Sequence, residues 1–165
     1  MSRQLPRFRI LWIEDDIDQL TQFVEELKGL LCKPGNIGRP VKTDAVEWGT
    51  KAEKALERLK ESPPDLIVLD VMLPRTQEAF EAEPLKVDTN AGYMLWHRLR
   101  KQKEWGEKLA TVPILVLTAL SRPLYRPMME QDGNLKWLDK PVMPSAAAGE
   151  IIALVKSSQQ SAPPT

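Results

Sequence analysis

Acidic side chains and one lysine follow directly after the most apolar stretches of this sequence. Glu14 and Asp15 follow the first apolar stretch, and Asp70 follows the third, in the segment DLIVLDVMLP. Lys140 follows the fifth and shortest stretch. Burying a carboxylate without a partner costs free energy. An acid at the end of such a hydrophobic strand therefore indicates that a cation or a hydrogen-bond donor lies beside it.

The residue types at these positions favour phosphoryl-transfer chemistry with a divalent cation. Carboxylates close together repel one another unless a cation lies between them, and a site of hard oxygen ligands favours Mg²⁺, with Mn²⁺ as the related choice. Thr118 and Lys140 add a hydroxyl and an ammonium group, which suit a phosphoryl group. Asp70 could then be the nucleophile that receives the phosphate.

These side chains would be brought together by a parallel sheet. Apolar runs alternate with helical patterns along the chain, which is typical of an α/β fold. The predicted strands are 8–13, 41–46, 66–69, 114–118 and 136–138. In a doubly wound parallel sheet, ligands bind at the carboxyl ends of the strands. The candidate residues all follow strands, so we expect them at that one edge.

Helices are predicted between the strands from apolar residues that recur every three or four positions. A capping box from Thr50 to Glu53 is expected to open the second helix, and Ser145 is expected to cap the last. The helix predicted at 91–103 is expected to bury Met94. The preceding segment has no periodicity and is predicted to be irregular.

Composition predicts one compact domain. The chain has 165 residues, and its Lys plus Arg and its Asp plus Glu both total 23, so net charge gives no indication of a nucleic-acid or membrane partner. The single cysteine, Cys32, is expected to be a partly buried thiol in a reducing compartment. No apolar run suggests a membrane span or a signal peptide, so a cytoplasmic location is predicted. The domain is expected at 1–156, with a flexible tail at 157–165.

Four segments in this order are typical of one protein family. The segments ILWIEDD, DLIVLDVMLP, PILVLTA and WLDKP resemble the signature of response-regulator receiver domains of two-component signalling, the CheY-like superfamily. The resemblance covers residues from about 9 to 156. It implies a flavodoxin-like, five-stranded parallel sheet with strand order 2-1-3-4-5 and helices on both faces.

The resemblance also implies a role for each candidate residue. Asp70 would be the phospho-acceptor. Mg²⁺ would be bound by Glu14, Asp15, Asp70 and the backbone carbonyl of Met72, and Asp16 would help to start the helix instead.

The remaining site residues would act on the phosphoryl group or respond to it. Thr118 would hydrogen-bond the acyl phosphate, and Lys140 would pair with it. Trp137 occupies the position of an aromatic switch residue, which would act together with Thr118. Pro141 follows a peptide bond that is often cis in this family.

The function implied is a stand-alone phosphorylation switch, which is a signalling domain and not an enzyme, although it would catalyse its own phosphorylation and dephosphorylation. A sensor histidine kinase or a phosphotransfer protein would donate the phosphoryl group. The output would run through contact with an unidentified downstream protein, with no nucleic acid or membrane as partner.

Two segments depart from the family pattern. Between Pro74 and Gly92 lies an insertion, 75–91, which is either a tolerated solvated loop or an element that covers the site or selects partners. The segment 121–134 contains prolines that interrupt a helix, so its helix is expected to be short or displaced. That change puts the usual output surface of the family in question.

Three alternatives stay open from the sequence. The chain could be a receiver-like adaptor that works without phosphorylation. It could be a phosphatase of the haloacid-dehalogenase type, although that family carries an acid two residues after the nucleophile, where this chain has Met72. His97 could suggest a phosphohistidine carrier, but a packed or solvent-facing histidine fits its helical setting better.

Overall fold

The computed structural model describes residues 6–82 and 88–161. Within these residues, strands form a parallel sheet in the order β2-β1-β3-β4-β5. The strands are β1 Phe8–Ile13, β2 Val41–Val46, β3 Leu66–Leu69, β4 Ile114–Thr118 and β5 Leu135–Asp139. The predicted fold class and strand order are therefore confirmed.

Helices cover both faces of the sheet. They are α1 Thr21–Leu31, α2 Gly49–Leu59, α3 Gln77–Ala82, α4 Ala91–Arg100, α5 Glu107–Ala110, α6 Arg126–Glu130 and α7 Pro144–Gln160. In β1, Leu11 faces a core formed with α2 and α4, whereas its neighbours Ile10 and Trp12 face a core formed with α1 and α7. This alternation follows from the two-residue period of a strand.

Strand register places the candidate residues at one edge. Ile13 of β1 is paired with Leu69 of β3, so the residues that follow them, Glu14 and Asp70, leave the sheet side by side. Thr118 is the last residue of β4, and its carbonyl accepts a hydrogen bond of 2.8 Å from the backbone N–H of Lys140. The peptide bond between Lys140 and Pro141 is cis.

The predicted capping box at the start of α2 is wrong. Trp48 is the N-cap residue and makes no side-chain capping hydrogen bond. The N–H of Thr50 instead donates to the carbonyl of Arg75 over 2.9 Å, so the insertion's first residues satisfy the helix end. Glu53 accepts a hydrogen bond of 2.6 Å from Arg98 on α4, which takes it away from any capping role.

Other local predictions also differ from the structure. Ser145 lies inside α7, which begins at Pro144 after Met143. Met94 is 40% exposed because the buried face of α4 is formed by other residues. The thiol of Cys32 is exposed, since it lies just beyond the end of α1. The last helix continues to Gln160, past the predicted start of the tail, and residues 162–165 lie outside the described part.

The sequence predicts an irregular insertion, but the structure shows that part of it is ordered as a helix. It contains α3, whose Phe80 packs against Trp48 with ring centroids 5.3 Å apart. Its base is closed by an antiparallel bridge between Leu73 and Asp88. Residues 83–87, which include part of the predicted loop, lie outside the described residues.

The segment 121–134 contains a short helix, in agreement with the sequence prediction. Helix α6 has five residues and carries a proline in its first turn, where a missing N–H does not matter. Across residues 6–82 and 88–161, none of the helices has the length and apolar composition needed to cross a membrane.

Candidate functional site

The structure brings the predicted site residues together at the carboxyl edge of the sheet. Glu14 and Asp15 follow β1, Asp70 follows β3, Thr118 ends β4 and Lys140 follows β5. Glu14 is 2% exposed, Asp70 is 5% exposed and Thr118 is fully buried. Buried charges require close partners, and the contacts around Asp70 supply them.

Both oxygens of the Asp70 carboxylate accept hydrogen bonds. Oδ1 accepts from the hydroxyl of Thr118 over 2.7 Å and from the backbone N–H of Met72 over 2.8 Å. Oδ2 lies 3.1 Å from the ammonium nitrogen of Lys140. These donors explain how a carboxylate is tolerated at the end of the most apolar strand.

Lys140 bridges two buried carboxylates. Besides Asp70, its ammonium group contacts Glu14 Oε2, while Glu14 Oε1 accepts the backbone N–H of Asp16 over 3.2 Å. Burial acts to lower the pKa of Lys140, but the charges of Asp70 and Glu14 outweigh it and raise that pKa above its usual value. Lys140 is therefore a fixed positive charge in the site at neutral pH.

Glu14, Asp15 and Asp70 form a cluster with the chemistry of a cation site. Each offers an oxygen, and these oxygens all lie within 4.8 Å of one another. Burial, followed by the charge of Asp70, raises the pKa of Glu14 to about 8. Burial also raises the pKa of Asp15.

The cluster fits Mg²⁺ or Mn²⁺, because its donors are hard oxygens and their mutual repulsion would be offset by a divalent ion. The backbone N–H of Met72 is fixed by Asp70. Its carbonyl stays a predicted ligand.

Trp137 is held on two sides. The residue is 9% exposed, and the guanidinium of Arg126 lies 4.8 Å from the ring centroid. Its Nε1–H donates to Asp139 over 3.1 Å. A switch role for Trp137 stays a prediction, and any rotamer change would have to break these contacts.

Tyr125 lies close enough to the site to feel the charge of Asp70, which its sequence context does not indicate. Its hydroxyl donates to the backbone carbonyl of Thr89, and its ring stacks on Tyr93 with centroids 4.7 Å apart and planes at 21°. Burial, together with the charges of Asp70 and Asp88, raises the pKa of Tyr125 to about 12. The only sequence signal was an aromatic residue in a proline-rich segment, which does not identify its partner.

Gly92 is required by a close approach beside Asp70. A Cβ atom at this position would lie 2.4 Å from the Cα of Val71 and 2.7 Å from the carbonyl oxygen of Asp70. The start of α4 can therefore pack against the loop after β3 only with glycine there.

His97 is a packed histidine, as expected. Its ring centroid lies 6.2 Å from that of Tyr93 and 6.5 Å from that of Trp96.

Solved structures share this fold. The chain matches the receiver domain of a sensor histidine kinase from Pseudomonas aeruginosa, which has a magnesium ion coordinated in its active site cleft, at 22% identity and a TM-score of 0.59, over 92% of this chain and 99% of that one. It matches the signal receiver domain of a signal transduction histidine kinase from Syntrophus aciditrophicus at 26% identity and a TM-score of 0.58, over 95% and 96% of the two chains.

A third match is the receiver domain of a Francisella response regulator, at 19% identity and a TM-score of 0.60, over 91% of this chain and 98% of that one. No family model and no curated protein matches the sequence.

Proposed function

Because the chain has the fold of response-regulator receiver domains, we propose that it accepts a phosphoryl group on Asp70 from a sensor histidine kinase or a phosphotransfer protein. One observation carries the proposal: a buried carboxylate is contacted by both a hydroxyl and an ammonium group, beside two further carboxylates. This combination provides a nucleophile, two donors for a phosphoryl group and a place for a divalent cation.

In the transfer, one carboxylate oxygen of Asp70 attacks the phosphorus of a phosphohistidine. A new P–O bond forms as the P–N bond breaks, and the leaving imidazole takes the electron pair of that bond. The Lys140 ammonium, 3.1 Å from Asp70, stabilises the negative charge of the phosphoryl oxygens. The Thr118 hydroxyl turns from the carboxylate to one of those oxygens.

Glu14, Asp15, Asp70 and the backbone carbonyl of Met72 would hold Mg²⁺ or Mn²⁺. When bound, the ion neutralises charge on the phosphoryl oxygens. The three carboxylates already lie within reach of one another. Lys140 contacts both Glu14 and Asp70 and so holds these two carboxylates beside each other.

A protein donor and a protein output are both part of the proposal. An apolar groove of about 410 Å³ lies beside Lys140 and is lined by residues such as Leu20, Phe23 and Val142. Exposed apolar surface rimmed by polar residues is typical of protein-interaction sites, so this groove supports a protein as the donor. The signal would pass to an unidentified protein when phosphorylation shifts a two-state equilibrium through Thr118.

Intact-mass spectrometry after incubation with phosphoramidate and Mg²⁺ tests this function. We expect one added phosphoryl group in the wild type and in Asp16→Asn, which changes a neighbouring acid outside the cluster, and none in Asp70→Asn. An adduct on Asp70→Asn would mean that another residue is the acceptor.

The absence of an adduct on folded wild-type protein would favour the adaptor that works without phosphorylation. The short, proline-containing α6 is the observation that supports that second candidate. A second incubation uses a phosphohistidine-bearing protein as the donor. An adduct in that incubation alone would show that Asp70 is shielded from small donors, whereas no adduct in either would show that it does not accept phosphate.

A further inference from the structure

The residues on either side of Met72 are held by a strip of chain at the end of the insertion. We call residues 88–92 the flanking strip. Within it, the N–H of Asp88 donates to the carbonyl of Leu73, and the N–H of Gly92 donates to the carbonyl of Val71, each over 3.1 Å. The position of the loop after Asp70 therefore depends on the position of the flanking strip.

The flanking strip is itself held from the other side of the site by Tyr125. The Tyr125 hydroxyl donates to the carbonyl of Thr89, in the middle of the strip, and its ring stacks on Tyr93, just beyond the strip. Tyr125 lies in the segment that follows Thr118 and β4. It thus connects the two segments that depart from the family pattern.

We propose that Tyr125 is a positioning residue for the divalent-cation site. By fixing the flanking strip, its hydroxyl fixes the loop 71–73 and with it the Met72 carbonyl. The inference rests on the cation site of the proposed function, but it assigns a determinant of that site that is neither a ligand nor a phosphoryl contact.

The surroundings of Tyr125 keep its hydroxyl protonated, so it remains a hydrogen-bond donor. Burial and the nearby acids keep its pKa far above neutrality, so the hydroxyl holds its proton under working conditions. Stacking on Tyr93 fixes the orientation of the Tyr125 ring and therefore the position of its hydroxyl oxygen. A phenylalanine would preserve this stack and remove only the hydrogen bond.

The test compares Tyr125→Phe with Tyr93→Phe, which removes a hydroxyl from the other ring and leaves the bond to Thr89 in place. Mg²⁺ binding to the full chain is measured by isothermal titration calorimetry, and amide hydrogen exchange is measured without metal. We expect Tyr125→Phe to bind Mg²⁺ about twofold to tenfold more weakly, the range for one hydrogen bond. We also expect faster exchange at 88–92 and 71–73, with Tyr93→Phe like the wild type.

The two readouts separate this inference from the proposed function. Unchanged exchange and unchanged Mg²⁺ affinity in a folded Tyr125→Phe variant would overturn the inference. Weaker affinity with unchanged exchange would also overturn it, because the effect would not pass through the flanking strip. If the wild type bound no Mg²⁺, the cation site of the proposed function would fail and the inference would fall with it.

Discussion

Thr118 donates its hydroxyl proton to Asp70 over 2.7 Å, and both side chains are buried. Thr118 ends β4 and Asp70 directly follows the neighbouring strand β3, so the bond is set by the register of the sheet. In the unphosphorylated protein, the hydroxyl that would contact a phosphoryl group is therefore already used by the acceptor. On phosphorylation, this hydroxyl would donate to a phosphoryl oxygen instead of to the Asp70 carboxylate, so the buried donor would stay paired.

Thr118→Val tests the strength of this bond. The substitution keeps the shape of the side chain but removes a donor to a charged group, so we expect the free energy of unfolding to fall by about 1.5–3 kcal/mol. Chemical denaturation of the wild type and the variant measures this difference in the free energy of unfolding. In the Asp70→Asn background the same change should cost less, because the charge is gone. An equal cost in both backgrounds would argue against a Thr118–Asp70 interaction.

Without metal, stability should fall as pH rises from about 5 to 8. Glu14 in the folded state has a pKa of about 8, against an ordinary value of 4.5. In this interval the unfolded chain has lost the proton that the folded protein still holds. Unfolding is therefore favoured by rising pH, with a slope of up to about 1.4 kcal/mol per pH unit. Asp15, whose pKa is also raised, acts in the same direction.

Glu14→Gln is the control for this pH dependence. The variant cannot ionise at position 14, so its free energy of unfolding should vary less between pH 5 and 8. Lys140 does not contribute to the pH dependence between pH 5 and 8, because its raised pKa affects the free energy of unfolding only at alkaline pH. A wild type whose stability increases steadily over this interval would contradict the predicted role of Glu14.

Gly92→Ala should be strongly destabilising. Its new methyl group would lie 2.4 Å from the Cα of Val71, and relieving such overpacking costs about 1–3 kcal/mol. Gly149→Ala is the matched control, since nothing lies within 4 Å of its Cβ position in α7. That control should gain about 0.5–1 kcal/mol. Denaturation curves that rank the two variants equally would show that the backbones can move apart.

Phe80→Ala should loosen the insertion without unfolding the domain. Phe80 and Trp48 are both only partly buried, so we expect faster amide exchange at 77–82 and a change in global stability below about 1 kcal/mol. Glu81→Gln, an exposed and nearly isosteric change on the same helix, should leave exchange nearly unaffected. If Phe80→Ala exchanged like the wild type, the contact with Trp48 would not be what orders α3.

The sheet and the site could be predicted from sequence because their signals are local. The stretch 8–13 is a strand because its residues are apolar and β-forming, and Asp70 is notable because it ends such a stretch. The edge shared by Glu14, Asp70 and Lys140 then follows from parallel topology.

The features that sequence analysis missed depend on contacts between distant residues. Phe80 is the only large apolar residue of helix α3, and its packing partner, Trp48, is far away in the sequence. The start of α2 needs no side-chain cap because the carbonyl of Arg75 accepts from Thr50. No periodicity in the sequence reports such pairings.

The bridge between Leu73 and Asp88 has a consequence for engineering. Because the insertion begins and ends at neighbouring positions, a foreign peptide added within it would not pull the sheet apart. Its entropic cost would rise only with the logarithm of its length. A fluorescent or affinity tag placed there would be anchored at Leu73, in the loop that follows Asp70, and could report on the proposed phosphorylation of that residue.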